Sequence, residues 1–259
     1  MADRHVRFER DGDVGLVVVD SPPLNLWTPE LQVDLEAALE QAESEGVRAL
    51  VFRAEGRAFT GGVDVHHFDD KTPDEADEIF QGLVRVVHRL EDMPLPSVAS
   101  VHGLCLTWGL EVALGCDLIF ASESAKFGLV EKVVGLTPAG GGTQRLAERA
   151  GPARAREFVM SGALFDAATL ERWNVVNRVF PDDQLVEETM GFVRELAAGP
   201  TLAHAATKRL VRACMDEGVR GADARIREIA SALFDTEDLQ SAVDSFLSDG
   251  PGKASFKGS

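Results

Sequence analysis

Lysine and arginine are the scarce residues of this 259-residue chain: 26 of them face 43 Asp and Glu, a formal net charge of −17. Gripping the phosphates of a nucleic acid, or lying on an anionic membrane, takes a basic surface, so neither is an expected partner. A small anionic ligand stays open, because a few Lys and Arg gathered locally dominate once screening over about 8 to 10 Å removes the rest. Cysteine is also sparse. Cys105, Cys116 and Cys214 sit largely among apolar neighbours with no CxxC or Cys/His spacing, which points to a reducing compartment, read here as the cytoplasm. Long apolar runs are missing, and none approaches the ~20 residues of a bilayer span. Met1 to Asp11 mixes charges of both signs without an apolar h-region, so a soluble protein without a targeting segment is expected. Internal repeats and low-complexity tracts are absent as well. Adjacent His66 and His67 diverge and have no third ligand at a suggestive spacing, so no metal site is expected. Ser97, Ser100 and Cys105 lack a GxSxG or similar setting, which leaves covalent acyl catalysis without a nucleophile.

What is present is enough apolar material, 45% of residues, to bury one main domain with a smaller appendage. Apolar runs at 14–20, 48–54, 96–103 and 117–122 read as strands, alternating with helical patterns at 29–45 and 74–92. Continuous apolar strands in such an alternation predict an α/β core whose sheets are covered by other elements. From about residue 143 the pattern turns helical, over 143–150, 152–160, 167–173, 184–198, 201–217 and 221–248. Gly199-Pro200 ends one helical run and marks a hinge, dividing a core at 1–198 from a helical C-terminal region at 199–259.

Three stretches carry chemistry. In Val101–Asp117 a strand and the Gly103 turn lead into a helix beginning near Trp108, apolar in every direction around Glu111. A carboxylate so placed is costly unless paired, hydrogen-bonded or protonated, and such groups are candidates for a functional site. The bland alternative is that Glu111 reaches a narrow solvent stripe or an arginine. In Arg53–Val65 a strand runs into Gly61-Gly62, which let the backbone approach a ligand or take positive φ, leaving the next amide free; glycine pairs are also ordinary turns. The third stretch, Lys126–Leu146, has glycines without GxxxxGK[ST] or GxGxxG spacing, which argues against a nucleotide loop. It contains Glu131, alternatively a surface ion pair with Lys132 or another base.

Together these segments resemble the enoyl-CoA hydratase/isomerase (crotonase) family over nearly the whole chain. Asp20-Ser-Pro-Pro-Leu-Asn25 is similar to the family's early turn, RAFTGGVDV to its F(S/A)(A/G)GxD loop, and residues 101–117 to its second signature. FGLVEKVVGLTPAGGGTQRL and the tail Ala254–Gly258 follow in the same order. The resemblance implies an α/β crotonase-type spiral of repeated ββα units with a C-terminal helical region. It further implies a homotrimer or homohexamer and an acyl-CoA thioester substrate, with coenzyme A as part of that substrate and no other cofactor.

Carried over by position, the amides of Val63 and Trp108 would hold the thioester oxyanion, and Glu111 and Glu131 would hold water against the double bond. Arg57, Ala58, Gly61, Asp64, Val65, Phe256 and Lys257 would line the coenzyme A site, with Arg57 and Lys257 on phosphates and Phe256 on adenine. Retention of both glutamates favours a hydratase over an isomerase, a decarboxylase or a ring-modifying enzyme, and argues against a noncatalytic acyl-CoA-binding member; acidic charge argues against an RNA-binding one. Thr107-Trp108-Gly109 departs from the glycine triplet of many hydratases, and its indole either narrows the acyl pocket or packs into the core.

Overall fold

The computed structural model describes residues 4–259; residues 1–3, which begin both the expected core and the charged N-terminal stretch, lie outside the described residues. Two segments rich in apolar and β-branched residues set the centre of the fold: β2 (Val14–Val19) and β3 (Ala49–Ala54). They lie in a six-stranded sheet with β1 (Val6–Asp11), β4 (Ser97–Val101), β6 (Leu118–Ser122) and β9 (Arg178–Phe180), ordered β1-β2-β3-β4-β6-β9. Only β1 runs antiparallel, paired with β2. A smaller sheet joins β5 (Leu104–Leu106), β7 (Lys126–Gly128) and β8 (Phe165–Asp166).

Strand side chains alternate between two covered faces. Leu16, Val18, Ala49, Val51, Val98 and Phe120 meet Leu185, Met190, Val193 and Ala197 of α7 (Leu185–Ala198). On the other face Val17, Val19, Leu50, Phe52, Ala99 and Val101 share the main core with α1 (Pro29–Ser44) and α2 (Pro73–Asp92). Each fully buried Leu or Val contributes about 1.5–3 kcal/mol. That explains why these strands read as continuous apolar runs. Into the same core goes the short α3 (Trp108–Gly115), followed by α4 (Gly142–Ala150), α5 (Pro152–Ser161) and α6 (Ala167–Arg172).

After Pro200 come α8 (Thr201–Ile229) and α9 (Glu237–Asp249). Gly218, at φ 75° and ψ 172°, breaks α8 where the sequence predicts a gap between helices. The single helix expected over 221–248 is corrected: a 3-10 turn at Ser231–Asp235 intervenes, and the Thr236 hydroxyl accepts the Leu239 amide to start α9 anew. Helix α8 lies on the core, with Lys208 Nζ at 2.9 Å from Asp117 and donating to the Leu90 and Leu95 carbonyls. Among the described residues no helix is long and apolar enough to cross a membrane.

Candidate active site

The Pro-Pro-Leu-Asn turn scaffolds the glycine loop. Asn25, buried at φ 52°, donates from Nδ2 to the carbonyls of Glu55 and Ala58, each at 2.9 Å, while the Thr60 hydroxyl donates to the Asn25 carbonyl. Thr60 is stitched to β5 in both directions: its amide donates to Leu104, and its carbonyl accepts from Leu106. Trp27 brackets the far end of the loop, its amide donating to Gly62 and its carbonyl accepting from Asp64. Between those two bonds the Val63 amide has no acceptor among the described residues. Gly62 takes φ 107°, and a Cβ there would lie 3.0 Å from Thr107 Oγ1, so the loop closes directly onto the start of α3.

There the Trp108 amide, first of its helix, also lacks an acceptor, as helix geometry requires. It follows Thr107, held at φ 46° and ψ −119°, an outlier costing on the order of 1–3 kcal/mol for a non-glycine residue. Gly109 is needed for close packing, since any Cβ would collide with Thr60 Cγ2. Two unused amides therefore sit on neighbouring turns, one at a helix N-terminus with its positive dipole end.

Glu111, one turn into α3, is 3% exposed. It reaches neither a solvent stripe nor a direct arginine partner; its Oε1 accepts the Gly142 amide at 3.0 Å, the first of α4. Gly140 and Gly142 wrap this carboxylate, and Cβ atoms there would come within 2.7 Å of Oε2 and 2.9 Å of Cγ. Burial pushes the Glu111 pKa up, while the Gly142 and Gly140 amides and the Arg145 charge pull it back. Glu131 opens a 3-10 turn, Glu131–Val134, closed by Gly135 in the left-handed region. It makes no surface ion pair with Lys132: its Oε2 is buried without a hydrogen-bond partner. Its pKa is pushed up to about 7, chiefly by burial and further by the Glu111 charge, although its own amide opposes the rise. Unpartnered buried polar atoms gather here, with Thr107 Oγ1, Trp108 Nε1, Glu131 Oε2 and Thr143 Oγ1 all on the segments that carry the site.

This arrangement sits on a chain matched from residue 9 to residue 258 by the sequence model of the enoyl-CoA hydratase/isomerase family. The chain belongs to that family. It is 32% identical over 255 residues to a probable enoyl-CoA hydratase of Rhizobium meliloti, covering 96% of each chain. To the 2,3-dehydroadipyl-CoA hydratase of Escherichia coli K12 it is 31% identical over 223 residues, 86% of each. The crystal structure of an enoyl-CoA hydratase subunit I from Geobacillus kaustophilus superposes with a TM-score of 0.91 at 33% identity, covering 98% of each chain. The expected crotonase fold is thereby shown.

Within this enoyl-CoA hydratase/isomerase family member the remaining candidates divide into two groups. Ala58 is buried with its carbonyl taken by Asn25; Gly61 donates to Leu24 and is partly open; Val65 is exposed. Asp64 caps the turn Val65–Phe68 and binds the His66 ring at 2.6 Å, while His67 stands edge-on to Trp27. Arg57 is exposed beside a hollow of about 410 Å³ lined also by Arg53, His102 and Ser124. Phe256 and Lys257 are elsewhere. The Phe256 carbonyl accepts from Arg48, immediately before β3, and the Lys257 amide donates to Asp238. Arg57 follows the other end of that six-residue strand, about 20 Å away at 3.3 Å per residue. One copy of the chain does not bring the tail and Arg57 into one cleft.

The Trp108 indole is 1% exposed and belongs to the main core, so it packs inward. Sequence reasoning missed the roles of Gly140, Gly142 and Arg145; the glycine cluster was the visible signal, and its use in wrapping a carboxylate was not.

Proposed function

We propose that this chain adds water across the double bond of a trans-2-enoyl-CoA to give a 3-hydroxyacyl-CoA. The observation that carries the reading is a pair of carboxylates beside two unused amides, Glu111 buried and Glu131 half-buried, both raised by burial and Glu131 further by the Glu111 charge. Glu111 keeps two amides and a nearby guanidinium favouring its ionised form, which suits it to accept a proton from water as the oxygen bonds to C3. Glu131, titrating at about 7, suits the donation of a proton to C2. The thioester oxygen carries the enolate charge meanwhile, held by the Val63 and Trp108 amides, each such donor being worth about 10²- to 10³-fold in rate. Return of the proton from Glu111 to Glu131 restores the pair. The coupled titration belongs to the two together and gives a bell-shaped rate profile.

The same reading takes the protein as a cytoplasmic homotrimer or homohexamer, with coenzyme A entering only as part of the substrate. Names of relatives support a hydratase; the family's wider chemistry keeps double-bond isomerisation as the outcome that would replace it.

The test is loss of the enoyl thioester absorbance with crotonyl-CoA, with product identified by mass. A product heavier by one water, and a rate lowered at least about 10²-fold in both Glu111→Gln and Glu131→Gln, is expected. A product of unchanged mass, or full activity in Glu131→Gln, rejects hydration by this pair.

A further inference from the structure

Arg145 lies on α4, one turn beyond the glycines that enclose Glu111, and is 7% exposed. Its guanidinium meets Glu91 of α2 through two parallel bonds, Nε to Oε1 at 2.7 Å and Nη2 to Oε2 at 2.6 Å. The third nitrogen, Nη1, donates to the Gly141 carbonyl at 3.2 Å. Gly141 sits at φ 101°, and a Cβ there would collide with the same nitrogen. The next residue, Gly142, gives its amide to Glu111. Arg212 of α8 reaches Glu91 Oε2 at 3.1 Å from the outside, so the anchoring carboxylate is itself braced by the C-terminal region.

Bidentate guanidinium–carboxylate pairing fixes a plane as well as a distance, which a lysine cannot do. Here that plane aims an Nη1 N–H at the Gly141 carbonyl, in the turn whose Gly142 amide Glu111 accepts. The pair is mostly buried, so the geometry is held in a weakly screened setting, and removing Glu91 leaves the buried Arg145 charge without its carboxylate.

We propose that Arg145 is a positioning residue for Glu111, fixing the Gly141–Gly142 turn whose amide Glu111 accepts, with Glu91 fixing Arg145 in turn. This rests on the hydratase reading for its kinetic consequence, though not for its structural one. The titratable groups facing Glu111 are Glu131 on its 3-10 turn and Arg145 on α4, with Glu91 of α2 and Arg212 of α8 behind Arg145; β5 and β6 bring no charged residue. Loss of the Arg145 charge raises the Glu111 pKa further, which displaces the acidic limb of the rate profile to higher pH.

The experiment compares wild type, Arg145→Met and Arg145→Lys by hydration kinetics across pH, and by ¹³C NMR titration of carboxyl-labelled glutamate with Glu111 assigned from Glu111→Gln. In Arg145→Met, kcat is expected to fall about 10- to 100-fold with KM changed much less, the acidic limb and the Glu111 resonance both moving up in pH. Arg145→Lys returns the limb towards wild type through its charge, without recovering the full rate. Wild-type kcat and an unmoved limb in Arg145→Met overturn the proposal. Should that variant not fold, Glu91→Gln frees Arg145 from its anchor and carries the same expectation for kcat, while the Glu111 resonance moves down in pH because a negative charge is lost; wild-type kcat there overturns the proposal equally. Should wild type itself not hydrate, the function reading falls, and the Glu111 titration alone decides positioning.

Discussion

Glu131 is held up to about 7 by burial and by the Glu111 charge, and the same shift that suits it to give a proton taxes the folded state. Unfolded, the residue loses its proton near the ordinary glutamate value; folded, it keeps it until about 7. Between those points the folded state binds more protons, so this contribution to stability is complete below the unfolded value and is lost as pH rises through 7. A shift of that size corresponds to up to about 3 kcal/mol before partial solvent access discounts it. Glu131→Gln is expected to be the more thermostable protein at pH 8, with the gap closing towards pH 4.5, measured by thermal unfolding across pH. An equal gap at both ends would mean that the side chain acts through packing alone.

At the scale of elements, the site depends on backbone that only glycine permits. Gly142→Ala would press Cβ against Glu111 Cγ and Leu129. Overpacking of this kind costs about 1–3 kcal/mol, and the lost alignment is expected to lower hydration at least about 10-fold, read from kcat alongside chemical denaturation. Wild-type activity in that variant would show that the cradle tolerates displacement of Glu111.

The same elements show what a sequence discloses. Helices α1, α2, α4, α5 and α7 announce themselves by periodicity and caps, as in Thr72 and Glu75, which form a capping box. Strands β5, β7, β8 and β9 are two or three residues long, too short for alternation to register, and four of the six residues of β1 are charged. Glu111 stands out because nothing around it is polar. Glu131 does not, since Lys132 beside it offers an ordinary surface ion pair and nothing local marks its partial burial. The Glu91–Arg145 pair joins residues 54 apart, both of types that ordinarily lie in water, and no local pattern marks it.

For the whole molecule the charge of −17 has a kinetic consequence under the proposed function. A coenzyme A thioester is itself anionic, so the long-range field opposes its approach while nearby arginines such as Arg53 and Arg57 attract it. Raising ionic strength from 0.01 to 0.15 M shortens the screening length from about 30 to about 8 Å, which removes the distant repulsion first. Hydration kcat/KM is expected to rise over that interval, the reverse of a site steered by a basic surface. A monotonic fall would mean that local attraction already dominates at low salt.

Arg48 gives the C-terminal region a behaviour of its own. Its guanidinium donates to Thr201 Oγ1, the Gly199 carbonyl and the Phe256 carbonyl, while Asp238 of α9 takes the amides of Lys257 and Gly258. The start of α8 and the end of the chain are thus clasped by one side chain at the foot of β3, and the tail in turn holds α9. Opening that clasp needs no disturbance of the sheet, so the amide hydrogens of α9 and the tail are expected to exchange with solvent together and ahead of the core, as native-state hydrogen exchange would show. The chain's last segment behaves as a latch whose release is set at residue 48.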